Sequence, residues 1–345
     1  MRLITPSIEP ERGPGANALD DDQVAATVAR EIHPGIVQLK RNEFLTSLTW
    51  LIPAAVVLFL AARNPRRLGA LLFIAVVAIA TVIRRGADWL RVRRDDPVVR
   101  FHRQEHEEIE QTAAIAEHRI RAAAVRPSVT YALAATISVV TWIQFLGPGV
   151  QQSIFLAALV KPAVFAGQWW RLLSVAYLHG SLLHWLMNMS GLLALGSLIE
   201  IYERRSMIAP VFVLSAIGGA LASTALITIM PAPSVGASGG IMGLAGYLFI
   251  VSRGSTRLPP WIARRMVSIF SATAIFGLAS FFFIDNAAHL GGTIAGILVG
   301  LMVRSDPETA QTSARQRLVD VLSWGGTLLF ACGALFTIAR LTRLA

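Results

Sequence analysis

The sequence predicts an all-α polytopic membrane protein, a six-helix bundle with an extra C-terminal span and an N-terminal helical hairpin. Three observations carry that expectation. Of 345 residues, 54% are hydrophobic and 15% charged, against roughly 25% charged in an ordinary soluble domain. The apolar residues fall in blocks near the 20 or so residues that a helix needs to cross about 30 Å of hydrocarbon. Arginines cluster beside alternate block ends, as they do in cytoplasmic loops.

Taken in order, residues 1–43 are polar, with Asp20, Asp21 and Asp22 in a row and no apolar h-region. A cytoplasmic N-terminal segment without a cleavable signal peptide is expected. Two apolar blocks at 44–62 and 68–83, joined by Arg63, Asn64, Pro65, Arg66 and Arg67, form the expected hairpin of residues 44–83. Its ends and its turn are all basic, so the positive-inside rule votes both ways. Residues 84–128 mix Arg with Glu and predict a solvated cytoplasmic helical linker. The core, 129–304, holds six blocks at 129–147, 172–201, 208–230, 236–252, 267–283 and 287–303. Arg126 precedes the first, Arg204 and Arg205 follow the second, Arg264 and Arg265 follow the fourth, and Arg304 follows the sixth. The opposite loops carry little beyond Lys161 and Asp285, so both ends of the core are expected inside. Residues 305–345 add a linker and a span at 322–339. That span would put the C-terminus outside, against the vote of Arg340 and Arg343.

The formal charge of +10 is thus a topology signal, and no basic stripe with interleaved aromatics predicts nucleic acid as a partner. The single cysteine, Cys332, lies in an apolar block and excludes a disulfide framework or a thiolate metal site.

Histidines inside spans are costly enough to mark function. Three of the seven, His179, His184 and His289, lie in or beside spans. His184 and Asn188 are four apart and share a helical face. The fourth core block opens Gly236-Ala237-Ser238-Gly239-Gly240 and continues with Gly243 and Gly246, a face that another backbone can approach closely. The sixth offers the match: His289 shares a face with Gly292, Gly296 and Gly300. Packing those faces together would bring Ser238 against His289. An imidazole with an ordinary pKa of about 6.5 is suited to take a serine proton at neutral pH. The oxyanion formed on attack would find donors in the backbone N–H near Ser238 and in His184 and Asn188. The blander alternatives are a small-residue helix contact for Ser238 and interhelical hydrogen bonds for His184 and Asn188. Asp285, one turn before His289, could orient the imidazole or, with Asn286, cap the helix.

At these residues the sequence resembles the rhomboid family of intramembrane serine proteases, over about residues 129–304. The motifs are Trp170-Arg171, the spacing of His179, His184 and Asn188, Gly236-Ala237-Ser238-Gly239, and His289 followed by glycines. The resemblance implies a rhomboid-like protease core in which Ser238 is the nucleophile and His289 the base. His184 and Asn188, with Gly236 and Ala237, would form the oxyanion and substrate-binding site, supported by His179, Trp170, Arg171 and Met242. Met242 stands where some members carry an aromatic that packs on the base. It further implies cleavage of transmembrane protein substrates within the lipid bilayer, usually after a small side chain, and no cofactor or metal. The lack of a signal or transit peptide points to a cell (inner) membrane location.

Other classes fit less well. Gly236 to Gly240 spells G-x-S-x-G, but a nucleophile elbow needs a strand before it, and membrane spans flank it here. A metalloprotease would need H-E-x-x-H, and His106-Glu107 lacks the second histidine. A transporter or an inactive rhomboid-like binder of membrane helices is the remaining alternative, and neither needs the pair Ser238 and His289.

Overall fold

The computed structural model describes residues 21–49, 51–52, 55, 68–227, 232–253, 258–279, 284–303 and 313–342. These divide into two compact units, one within 1–56 and 77–113, the other within 57–76 and 114–345.

The first unit draws on α1 (Asp21–Leu48), α2 (Leu68–Arg94) and α3 (Pro97–Ala124). Phe44 stacks on Trp89 with ring centroids 5.6 Å apart, and Arg85 donates to the Glu43 carbonyl at 3.1 Å. Gly86 makes room for that ring, since a Cβ there would stand 2.9 Å from Phe44 Cε2. The second apolar block does not end at residue 83. Arginine is a good helix former, so α2 runs on to Arg94, and the break comes at Asp95-Asp96-Pro97. Asp96 caps α3 by accepting from the N–H of Val98 at 2.9 Å, and Pro97 occupies the first turn, where a missing N–H costs nothing. Most of the predicted block 44–62 lies outside the described residues.

The second unit holds α4 (Ser128–Leu146), then three short helices α5 (Gly149–Ala157), α6 (Lys161–Phe165) and α7 (Arg171–Ser174). There follow α8 (Leu182–Tyr202), α9 (Ile208–Ala225), α10 (Ser238–Ser252), α11 (Pro260–Ala279), α12 (Asn286–Val303) and α13 (Ser313–Thr342). Six of these helices are long and apolar enough to cross a membrane, while α10 has only 15 residues. At 1.5 Å per residue α10 rises about 22 Å, short of the full hydrocarbon layer.

One predicted span is displaced. The second core block begins at residue 172 by composition, yet α8 begins at Leu182. Leu172, Val175, Ala176, Tyr177 and Leu178 are apolar because protein surrounds them, not lipid. The helix starts where Ser181 accepts the His184 N–H at 3.2 Å. His179 therefore sits in the loop ahead of the span. Likewise α11 starts at Pro260 rather than at 267, and α13 extends the predicted 322–339 at both ends.

Two packing devices fix the bundle. Pro127 gives α4 no side-chain cap; Glu200 of α8 serves instead, accepting from the N–H and the hydroxyl of Thr130, both at 2.7 Å. A buried acid inside an apolar span thus satisfies a neighbouring helix terminus. The second device is glycine. Side chains added at Gly292 and Gly296 of α12 would run into the backbone of Gly239 and Gly243 of α10. Gly219 of α9 approaches the Ala288 carbonyl, where a Cβ would stand 2.5 Å away. Helices α9, α10 and α12 therefore meet backbone to backbone. The α9 segment is 72% buried in the protein, against 17% for α11, which lies at the margin.

Candidate active site

The three glycine-packed helices bring Ser238, in the first turn of α10, to His289, in the first turn of α12. Ser238 Oγ and His289 Nε2 are 2.9 Å apart. For Nε2 to accept the hydroxyl proton, the ring must carry its own proton on Nδ1; that atom is buried without a hydrogen-bond partner among the described residues. Among those residues no third group is hydrogen-bonded to the imidazole.

Gly236, two residues before Ser238, has φ +132°, a conformation that favours glycine. Its N–H donates to the Val175 carbonyl at 3.0 Å, which ties the extended approach to α10 to the loop before α8. A Cβ at this position would stand 2.7 Å from His184 Cε1 and 2.9 Å from its Nε2. The His184 imidazole thus lies on the bare face of Gly236, beside Ser238. Ala237 is fully buried at the N-cap of α10 and offers no side-chain cap. The first N–H groups of α10 consequently have no intrahelical acceptor and stay available to an anion.

Not every sequence-selected residue is hydrogen-bonded to the pair. Asn188 is buried, and its Nδ2 donates to the His184 carbonyl of its own helix at 2.9 Å. Met242 is buried facing α11, where its sulfur receives the Thr273 hydroxyl at 3.8 Å. His179 packs against His184, ring centroids 5.3 Å apart. Its Nδ1 pairs with the Thr141 hydroxyl at 2.9 Å, and its backbone is held on both sides by Gln144 at 2.9 and 2.8 Å. Burial, and then the neighbouring His184, push the His179 pKa down to about 3, so its ring is neutral.

The contacts of Trp170 and Arg171 are with residues other than Ser238 and His289. Arg171 donates to the carbonyls of Ala158 and Phe155 at 2.6 and 2.7 Å and covers one side of the Trp170 ring, 4.5 Å from its centroid. Arg340 of α13 covers the same ring at 4.9 Å. The arginine that argued against an outer C-terminus is thus engaged with this loop.

Sequence reasoning missed Thr141 and Gln144, although a glutamine inside an apolar block was a usable signal. It also missed a group around Asp285. That carboxylate accepts from the Ala288 N–H at 3.0 Å and from the hydroxyls of Ser223 and Ser234. Of the two roles open for Asp285, the cap is present. A cavity of about 30 Å³, enough for one or two waters, lies between Asp285, Ser234, Gly236 and Ser238. No cluster of His, Cys, Asp and Glu among the described residues has the makings of a metal site.

Comparison with known proteins agrees with this architecture. Residues 166–306 match the Rhomboid domain, somewhat less than half of the chain. It is 31% identical over 169 residues to RHOMBOID-like protein 5 of Arabidopsis thaliana, covering 47% of this chain and 53% of that one. It is 31% identical over 176 residues to Rhomboid protease AarA of Providencia stuartii, covering 43% and 60%. To Rhomboid protease GluP of Bacillus subtilis it is 32% identical over 131 residues, covering 38% and 25%. The alignment with the plant relative spans about half of that protein's length.

Proposed function

We propose that this multi-pass protein is an intramembrane serine endopeptidase that cuts transmembrane segments of other proteins through Ser238 and His289. The observation that carries the reading is the 2.9 Å contact between the hydroxyl and the imidazole, held by helices too tightly packed to drift apart. As substrate binds, His289 Nε2 takes the Ser238 proton while Oγ attacks the scissile carbonyl, and the same imidazole later returns the proton to the leaving amine. The developing oxyanion is met by the free N–H groups of α10, by His184 on the bare face of Gly236, and by the second N–H of Asn188. Water reaches the dyad through polar groups at this end of the bundle, because a peptide cannot be hydrolysed in dry lipid. The arginine pattern supports a site toward the outer face of the cell membrane, with the N-terminal segment in the cytoplasm.

The test is cleavage of a model transmembrane substrate in liposomes, with labelling by a fluorophosphonate probe. Ser238→Ala is expected to abolish both while leaving the protein inserted and folded, and chelator is expected to change neither. A transporter or an inactive binder would show neither cleavage nor labelling in the wild type. Residual cutting by Ser238→Ala would remove the serine from the mechanism.

A further inference from the structure

Three segments converge on one carboxylate a helical turn before His289, and a fourth is tied to one of them. Its own helix supplies the Ala288 N–H, and the Asp285 carbonyl accepts the N–H of His289 itself at 3.1 Å. The C-terminal end of α9 supplies the Ser223 hydroxyl, and the loop ahead of α10 supplies that of Ser234. Ser234 is joined in turn to the outer loop by a two-way backbone bridge with Leu159, at 3.0 and 3.1 Å. Lys161, two residues on and fully buried, donates to the Ala232 carbonyl at 2.8 Å. Burial pushes the Lys161 pKa down, and the Asp285 charge pulls it partly back.

A helix cap alone would need less than this. Asparagine caps as well as aspartate, and one acceptor satisfies one N–H. Asp285 instead takes two hydroxyls as well, and it lines the cavity that also reaches Ser238. We propose that Asp285 is a positioning residue for the base: its contacts fix the first turn of α12, and its charge favours the imidazolium that forms when Ser238 gives up its proton. The inference rests on the dyad reading above. No other reagent is required. The proton passes from Ser238 Oγ to His289 Nε2 as the O–C bond forms, and the carbonyl electron pair moves to oxygen.

Among the described residues the charged and titratable groups around His289 are few. Asp285 faces it from its own helix and His184 from α8, with His179 behind His184. Lys161 comes from the outer loop by way of Asp285. From α9 the contact with Asp285 is the Ser223 hydroxyl, and from α10 the contact with His289 is Ser238 itself. Asp285 is the one acid in that set, so its removal is readable in the pH profile.

The experiment compares Asp285→Asn with wild type in liposomes, reading kcat, KM, the acid-side midpoint of kcat/KM and the unfolding temperature. Neutralising a carboxylate bonded directly to a catalytic histidine costs roughly 10⁴-fold. Asp285 holds the backbone rather than the ring, so a loss of about tenfold in kcat is expected, with KM unchanged. The acid-side midpoint is expected to fall by roughly one pH unit, the equivalent of that factor. Asp285→Glu, which keeps the charge, is expected to recover part of the rate. A folded Asp285→Asn protein with wild-type kcat and midpoint overturns the proposal, as does a loss that merely follows a lower folded fraction with no movement of the midpoint. Ser238→Ala run in parallel separates the failures: if it still cuts, the dyad reading falls and this inference with it, whereas an inert Ser238→Ala beside a wild-type-like Asp285→Asn sinks this inference alone.

Discussion

At the scale of single residues, the site depends as much on an absent side chain as on those present. Gly236 has a backbone angle that L-residues rarely adopt, and the space its Cβ would take is filled by the His184 ring. Gly236→Ala would impose two penalties together. Backbone strain at such a position costs about 1–3 kcal/mol, and the displaced imidazole leaves the oxyanion position proposed for it. Losing one such donor costs roughly 10²-fold or more in kcat. The expected outcome is therefore a hundredfold drop in cleavage rate with a protein that still inserts and resists proteolysis. A near-normal rate would show that His184 is not seated by that glycine. His179 acts differently. It is neutral and locked to Thr141 and Gln144, so it braces His184 from behind.

At the scale of elements, the glycine stripes on α10 and α12 were legible because small residues repeating at helical spacing in an apolar segment mark a face that a second backbone approaches closely. Their pairing follows from the same pattern, and the structure seats Gly296 on the backbone of Gly243. Less legible were the faces that share the junction. Gly218 and Gly219 on α9 bear equally on α12, yet two glycines in an apolar run look like composition until the partner is known. The limits of α8 were hidden for a related reason. Hydropathy cannot separate residues buried by lipid from residues buried by protein, so Leu172 to Leu178 read as span. The Asp285 group was invisible because its members, Ser223, Ser234 and Lys161, are scattered in sequence and only the fold assembles them. A contrast between two glycines tests the stripe itself. Gly296→Val would force backbone apart, and overpacking typically costs about 1–3 kcal/mol even where neighbours can yield. Gly325, with nothing within 4 Å of its Cβ position, is the control. In thermal unfolding in detergent, Gly296→Val is expected to unfold well below wild type and Gly325→Val close to it. Equal melting temperatures would contradict a glycine-dependent α10–α12 contact.

At the scale of the whole molecule, α13 lies beyond the matched domain but is built into the second unit. Gly326 sits against Pro210 of α9, and Gly333 against Leu173 and Tyr177. The buried Tyr177 hydroxyl donates to the Phe330 carbonyl at 2.7 Å, and the Phe330 ring meets those of Tyr177 and Phe212 at 5.4 and 5.9 Å. Near its C-terminal end, Phe336 and Arg340 pack on Trp170. Thus α13 holds the outside of the loop whose inner side, at Val175, anchors Gly236. Removing a buried phenylalanine alone costs about 3–5 kcal/mol, and ending the chain at residue 312 would remove Phe330 together with the Trp170 contacts. That truncated protein is expected to melt markedly lower, to be cut by added protease in the 147–181 loop, and to lose most of its cleavage rate. Tyr177→Phe, which deletes only the hydroxyl, is expected to show a graded form of the same loss, about 1 kcal/mol in stability. A truncated chain with full-length stability and rate would make α13 an appendage, with the loop held instead by contacts such as those of Arg171, Lys161 and Gln144 and the Leu159–Ser234 bridge.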